Sequence, residues 1–83
     1  MRLTVLYFAW LRERIGAPRE DIETEAATVS DLVSDLSARS EGHALAFADL
    51  TSLRVALDQE LTDFAASLEG VREVAFFPPM TGG

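Results

Sequence analysis

A chain of 83 residues with seven Arg, no Lys and fourteen Asp plus Glu carries a net charge of −7, and it contains no Cys. That length fits one small domain and leaves no room for a second or for a large enclosed pocket. The missing Cys excludes disulfides, thiolate nucleophiles and thiolate metal sites, while the acidic balance argues against nucleic acid and anionic membranes as partners.

Residues 2–8, Arg-Leu-Thr-Val-Leu-Tyr-Phe, are dominated by β-branched and aromatic side chains and predict a strand. Leu3, Val5 and Tyr7 share one face and Leu6 and Phe8 the other, so the strand is expected at the centre of a sheet. Ala9 to Ile15 reads as a short helix closed by Gly16 and Pro18. In residues 20–25, Glu-Asp-Ile-Glu-Thr-Glu, only Ile22 is strongly apolar, which suits a charged edge strand in a hairpin with the first. Thr28 is a helix N-cap with Asp31 three residues on. Val29, Leu32, Val33 and Leu36 then form one helical stripe, with Ser30, Ser34, Asp35 and Arg39 opposite, and Gly42 is read as the stop.

Residues 43–50 hold a weaker apolar set, Leu45, Phe47 and Leu50, in a short helix or turn. Leu53, Val55 and Leu57 alternate with Arg54, Ala56 and Asp58 as a half-buried strand. Residues 59–70 are mixed, anchored by Leu61, Phe64 and Leu68, with room for a short strand and a turn at Glu69-Gly70. Val71 to Phe77 is the last strand. The first and last strands are the most apolar, so they are placed side by side and parallel at the centre, with one main helix across one sheet face. The class is α+β, a mixed sheet of four or five strands over residues 1–77, followed by an extended tail over 78–83. No apolar run approaches the roughly 18 residues of a membrane helix. Arg12, Glu13 and Arg14 break up any signal-peptide pattern, so a cytoplasmic location is expected.

Catalytic groups are scarce. His43 is the only His, falls in a weakly patterned stretch and reads as structural or solvated. The carboxylates of Glu20, Asp21, Glu23 and Glu25, and of Asp58, Glu60 and Asp63, read as solvated faces without a metal-loop pattern. No phosphate-binding, dinucleotide or serine-nucleophile motif is present, which argues against a self-contained enzyme and against a cofactor bound by this chain.

The informative feature is the ending, Phe76-Phe77-Pro78-Pro79-Met80-Thr81-Gly82-Gly83. Two prolines remove two backbone donors and stiffen the chain. Six residues at up to about 3.3 Å each reach roughly 20 Å. Two terminal glycines let such a tail enter a narrow channel and present the Gly83 carboxylate there. A carboxylate becomes a good electrophile once adenylated, and with no ATP motif here a partner enzyme must do that step. Phe76 and Phe77 face opposite sides of their strand. With one face covered, Phe77, like Phe8 on the first strand, is left as an apolar docking patch beside the tail, unless residues 43–50 or 59–70 fold over it.

The ending, the opening Val5-Leu6-Tyr7-Phe8-Ala9 with Leu11-Arg12-Glu13 and Gly16, and the central Val55-Ala56-Leu57-Asp58-Gln59-Glu60 together resemble the small, sulfur-carrier subunits of molybdopterin synthases across essentially the whole chain. Asp58 departs from that pattern, which usually has Asn there. The resemblance implies a β-grasp, ubiquitin-like fold. It implies that an activating enzyme adenylates Gly83 with ATP and magnesium and that a sulfur donor converts it to a thiocarboxylate. The large synthase subunit, in a heterotetramer, then receives the tail and passes sulfur to cyclic pyranopterin monophosphate. Carried over by position, Phe8, Leu61 and Phe77, followed by Pro78, Pro79, Met80 and Thr81, would meet the partner, and Gly82 and Gly83 would enter the active site. Three rival readings remain: a protein modifier conjugated through Gly83, a thiamine-pathway sulfur carrier, whose kind lacks the Phe-Phe-Pro-Pro run, and an interaction module with an inert tail.

Overall fold

The computed structural model describes residues 1–79. Strands β1 (Arg2–Tyr7), β2 (Arg19–Glu23), β3 (Arg54–Leu57), β4 (Glu60–Thr62) and β5 (Glu73–Phe77) form one sheet in the order β2-β1-β5-β3-β4. The β1–β5 pair at the centre is parallel and the other neighbours are antiparallel, so the sheet is mixed, as the apolar content of its two central strands predicts. Helices α1 (Trp10–Ile15), α2 (Val29–Ser37) and α3 (Glu41–Ala46), with a 3₁₀ turn at Leu50–Ser52, are the helical elements of the described residues. This is the β-grasp arrangement of ubiquitin-like domains, and the described tail residues Pro78 and Pro79 lie beyond β5.

Helix α2 follows from its own sequence. The Thr28 hydroxyl accepts the Asp31 N–H at 3.2 Å, and Val29, Leu32, Val33 and Leu36 are all buried. Each such side chain contributes roughly 1.5–3 kcal/mol by leaving water. They meet Leu3, Val5, Tyr7, Val55, Val74 and Phe76 from the sheet to form the core.

Several expectations need correction. Gly42 does not end α2, which stops at Ser37. Ser40 caps the separate helix α3, and Gly42 lies inside it. A Cβ at Gly42 would run into the Arg14 carbonyl oxygen, so the glycine serves the close approach of α3 to α1. The last strand begins at Glu73 rather than Val71, because the Asp58 carboxylate takes the Arg72 and Glu73 N–H groups at 3.1 and 2.9 Å. Of the three anchors expected in 59–70, Leu68 is buried and Phe64 half-buried, but Leu61 is 67% exposed. His43 lies in α3, not in a weakly formed stretch, and is buried.

Candidate functional site

The base of the tail gathers the ends of β1, β5 and the start of β3. Phe8 follows β1, and its N–H donates to the Phe76 carbonyl at 3.1 Å, which brings it alongside Phe77. On the other side of β5, Phe77 pairs with Arg54. One cross-strand row therefore reads Phe8, Phe77, Arg54. The next row, from the registers, reads Arg19, Leu6, Ala75, Ala56, Leu61. All of these project from the face opposite the helices, since Leu3, Val5, Tyr7, Val74 and Phe76 take the covered face. Phe8 is 45% exposed, and Phe77, Pro78 and Pro79 are half-buried.

Neither segment that could have covered this patch does so. Phe47, from the 43–50 region, packs edge-on against Phe76 with ring centroids 4.9 Å apart, on the covered face. The 63–68 loop is tied to the start of α2 instead: Val29 and Ser30 donate to the Ala66 and Phe64 carbonyls, and Leu68 donates to Ala27. Phe8, Leu61 and Phe77 thus share one open sheet face. Met80, Thr81, Gly82 and Gly83 lie outside the described residues. Sequence parity sets Leu6 beside Phe8 and Ala75 beside Phe77, and the registers bring Ala56 in line with them as the floor between the two aromatics.

A backbone feature sets the two sides of this site apart. Ala9 has φ 56 and ψ −134, a conformation that L-residues rarely adopt. It reverses the chain between Phe8, on the open face, and Trp10, which packs toward the core. Holding a non-glycine residue there costs about 1–3 kcal/mol, met by the packing on either side.

The second polar cluster is at the covered face. Glu20 Oε1 accepts the Tyr7 hydroxyl at 2.7 Å and lies 2.7 Å from His43 Nε2, while Ser40 Oγ lies 2.7 Å from His43 Nδ1. Glu20 is therefore not part of a solvated acidic face. An ionised carboxylate only accepts, so His43 Nε2 is the donor of that pair. Burial alone would raise the Glu20 carboxyl, but hydrogen bonds from His43 and Tyr7 outweigh it and hold the group below its ordinary range. Burial first, and then the Glu20 carboxylate, push the Tyr7 phenol far above its ordinary value. Ser40 also accepts the His43 N–H at 3.1 Å as the cap of α3. Serine, histidine and glutamate are thus committed to clamping α3 onto β1 and β2. Among the described residues, no group of three or more His, Cys, Asp or Glu is placed to hold a metal ion, and no helix is long and apolar enough to cross a membrane.

Known proteins resemble this chain over its length. It is 40% identical over 81 residues to the molybdopterin synthase sulfur carrier subunit of Escherichia coli K12, covering 98% of this chain and 99% of that protein. The Haemophilus influenzae molybdopterin synthase sulfur carrier subunit is 37% identical over 81 residues, with the same coverage. Among solved structures, SAMP1 from Haloferax volcanii superposes with a TM-score of 0.76 at 22% identity over all of both chains, a likeness of fold. The sequence profile of the ThiS family matches residues 5–83, from the middle of β1 through the glycine ending, and the chain belongs to that family.

Proposed function

We propose that this chain is the sulfur-carrier subunit of a molybdopterin synthase, working in the cytoplasm and assembling with a large subunit into a heterotetramer. The observation that carries the reading is the open apolar face at the foot of the Gly-Gly tail, in a chain that matches named sulfur carriers from end to end. The fold is a handle, and the reactive group is the Gly83 carboxylate.

In this reading an activating enzyme joins that carboxylate to AMP from ATP, with magnesium, and releases pyrophosphate. Sulfur from a donor displaces AMP and leaves a terminal thiocarboxylate. Phe8, Leu61 and Phe77 seat the domain on the large subunit while Pro78 and Pro79, unable to donate backbone hydrogen bonds, send the chain on as a stiff stem. Met80, Thr81 and Gly82 thread the channel. The thiocarboxylate gives its sulfur to cyclic pyranopterin monophosphate, and the spent tail returns to a carboxylate. Every step of covalent chemistry is done on Gly83 by groups of other proteins.

Intact mass of the protein isolated from cells tests this. A fraction heavier by one sulfur-for-oxygen exchange at Gly83 is expected. Deleting Gly83, or adding one residue after it, should abolish sulfur transfer with the fold unchanged, because a displaced reacting group is costly in rate. Normal molybdopterin formation by the shortened chain would sink the carrier mechanism, and Gly83 found in isopeptide bonds would favour a protein modifier.

A further inference from the structure

The open face is not uniform along its strands. At the tail end, the row Phe8, Phe77, Arg54 ends in a cation. Arg54 is exposed, and its guanidinium is steadied by the Leu53 carbonyl at 2.8 Å. The apolar row comes next. Beyond it the registers bring Asp21, Thr4 and Glu73 into line, with Asp58 joined to Glu73 through its own N–H at 2.9 Å. Asp21 is held by the Thr4 hydroxyl at 2.7 Å, and Asp58 by two backbone N–H groups, so these carboxylates have fixed positions. Arg19 leans from the apolar row toward Asp21 at 3.4 Å, and Arg2, one row further on, also bears on Asp21, but two cations against the three carboxylates only partly offset this end. The face is thus cationic near the tail, apolar in the middle and anionic at the far end.

We propose that this polarity orients docking: the partner surface pairs an apolar centre with Lys or Arg opposite Glu73, Asp21 and Asp58 and with Asp or Glu opposite Arg54. The inference rests on the carrier reading above. A roughly flat apolar band gives affinity but accepts a partner in two orientations related by a half-turn about the sheet normal. The tail leaves from one end only, so one of the two delivers Gly83 and the other points it away. Arg54 pairs with Phe77, four residues along β5 from Glu73, which separates the poles by about 13 Å. That exceeds the screening length of roughly 8 Å at physiological salt, so each pole acts on whatever faces it. Reversed docking sets like charges together at both ends, and complementary poles speed the encounter that is productive.

The test measures association of the full-length chain with the large synthase subunit of the same organism, at low salt and at about 0.5 M salt. Glu73→Arg, Arg54→Glu, Phe77→Ala and a control, Glu69→Arg, are compared, with melting recorded for each. Glu69 is exposed, lies outside the strands before β5, and follows Leu68, whose N–H is tied to the Ala27 carbonyl before α2. Glu73→Arg and Arg54→Glu should each slow association about tenfold at low salt, with both deficits fading at high salt. Glu69→Arg should change it less than about twofold. The two reversals shift net charge in opposite directions, so a common slowing reports local poles. If one speeds and the other slows association, net charge alone is at work and the proposal is overturned. It is also overturned if Phe77→Ala weakens binding while both reversals behave as wild type. A wild-type chain that does not bind the large subunit overturns the carrier reading and this proposal together. Should a reversal lower melting, Glu73→Gln and Arg54→Gln replace it, with smaller slowing in the same direction expected.

Discussion

Phe76 is fully buried, while Phe77, the next residue on the same strand, is half-exposed on the opposite face. Phe76 packs against Phe47 and stacks on Tyr7 with ring centroids 6.5 Å apart. Phe77 has Phe8 on one side and Arg54 on the other, with no element among the described residues layered above. A sheet covered on one side turns strand alternation into a division of labour. Inward positions hold the fold, and outward positions are free to meet another molecule without being spent on stability. Adjacent residues can then be altered with separable consequences.

The largest expected effect sharpens that contrast. Phe76→Ala should lower folding stability by about 3–5 kcal/mol, as for other buried aromatics, and Leu36→Ala by about 2–5 kcal/mol. Denaturant melts of the purified variants check both. Phe77→Ala should instead weaken binding to the large subunit by about 1–3 kcal/mol, the range of an interface anchor, with little change in melting. Phe8→Ala should follow Phe77→Ala. An unfolded Phe77→Ala beside a stable Phe76→Ala that binds poorly would turn the sheet inside out. Equal loss of stability in both would remove the open patch.

A smaller effect tests the polar edge of the covered face. Glu20→Gln should cost about 1–2 kcal/mol at neutral pH, as expected for a hydrogen bond to a charged group. The carboxyl is held below its ordinary range in the folded chain. Its contribution is therefore complete above the ordinary glutamate range and is lost as pH falls through the lower, folded value. Wild type and variant should converge in acid, and melts across pH check this. A gap independent of pH would mean that the carboxylate charge contributes nothing. The smallest effect concerns the junction between the faces. Ala9→Gly removes strain at a positive φ but loosens the unfolded chain, for a net gain of up to about 1 kcal/mol. A loss of stability there would mean that the Ala9 methyl group is needed for packing.

How much of this was legible depended on the range of the interaction. Helix α2 is written in adjacent residues, a cap and a stripe, and the central parallel pair follows from two strongly apolar segments. The open patch was legible in part, through the parity of Phe8 and Phe77. The Tyr7–Glu20–His43 clamp was not, because His43 and Glu20 stand 23 residues apart and meet only once α3 packs over the sheet edge. A signal did exist: Glu20 shares inward parity with buried Ile22 and Thr24, an odd place for a carboxylate without a partner. Gly42 misled because a glycine after a helical stripe is usually a stop, and its role here, a backbone contact with Arg14, depends on a neighbour far along the chain. Hydrophobicity alone makes Leu61 an anchor of its segment, whereas the family resemblance puts it on the docking patch. Its pairing with Ala56 on the short strand β4 turns it outward.

The parallel pairing of β1 with β5 has a mechanical consequence. The two strands run the same way, so β1 starts at the end of the sheet remote from the tail and β5 finishes where the tail departs. A pull on Pro79 against an anchor at Arg2 slides the central strands past one another. Their evenly spaced hydrogen bonds are then loaded together rather than opened one at a time. Resistance to such a load is set by the unfolding rate rather than by equilibrium stability. In the proposed carrier role, shear at the centre of the sheet would let the tail be drawn out of a partner's channel while the domain that carries it stays folded.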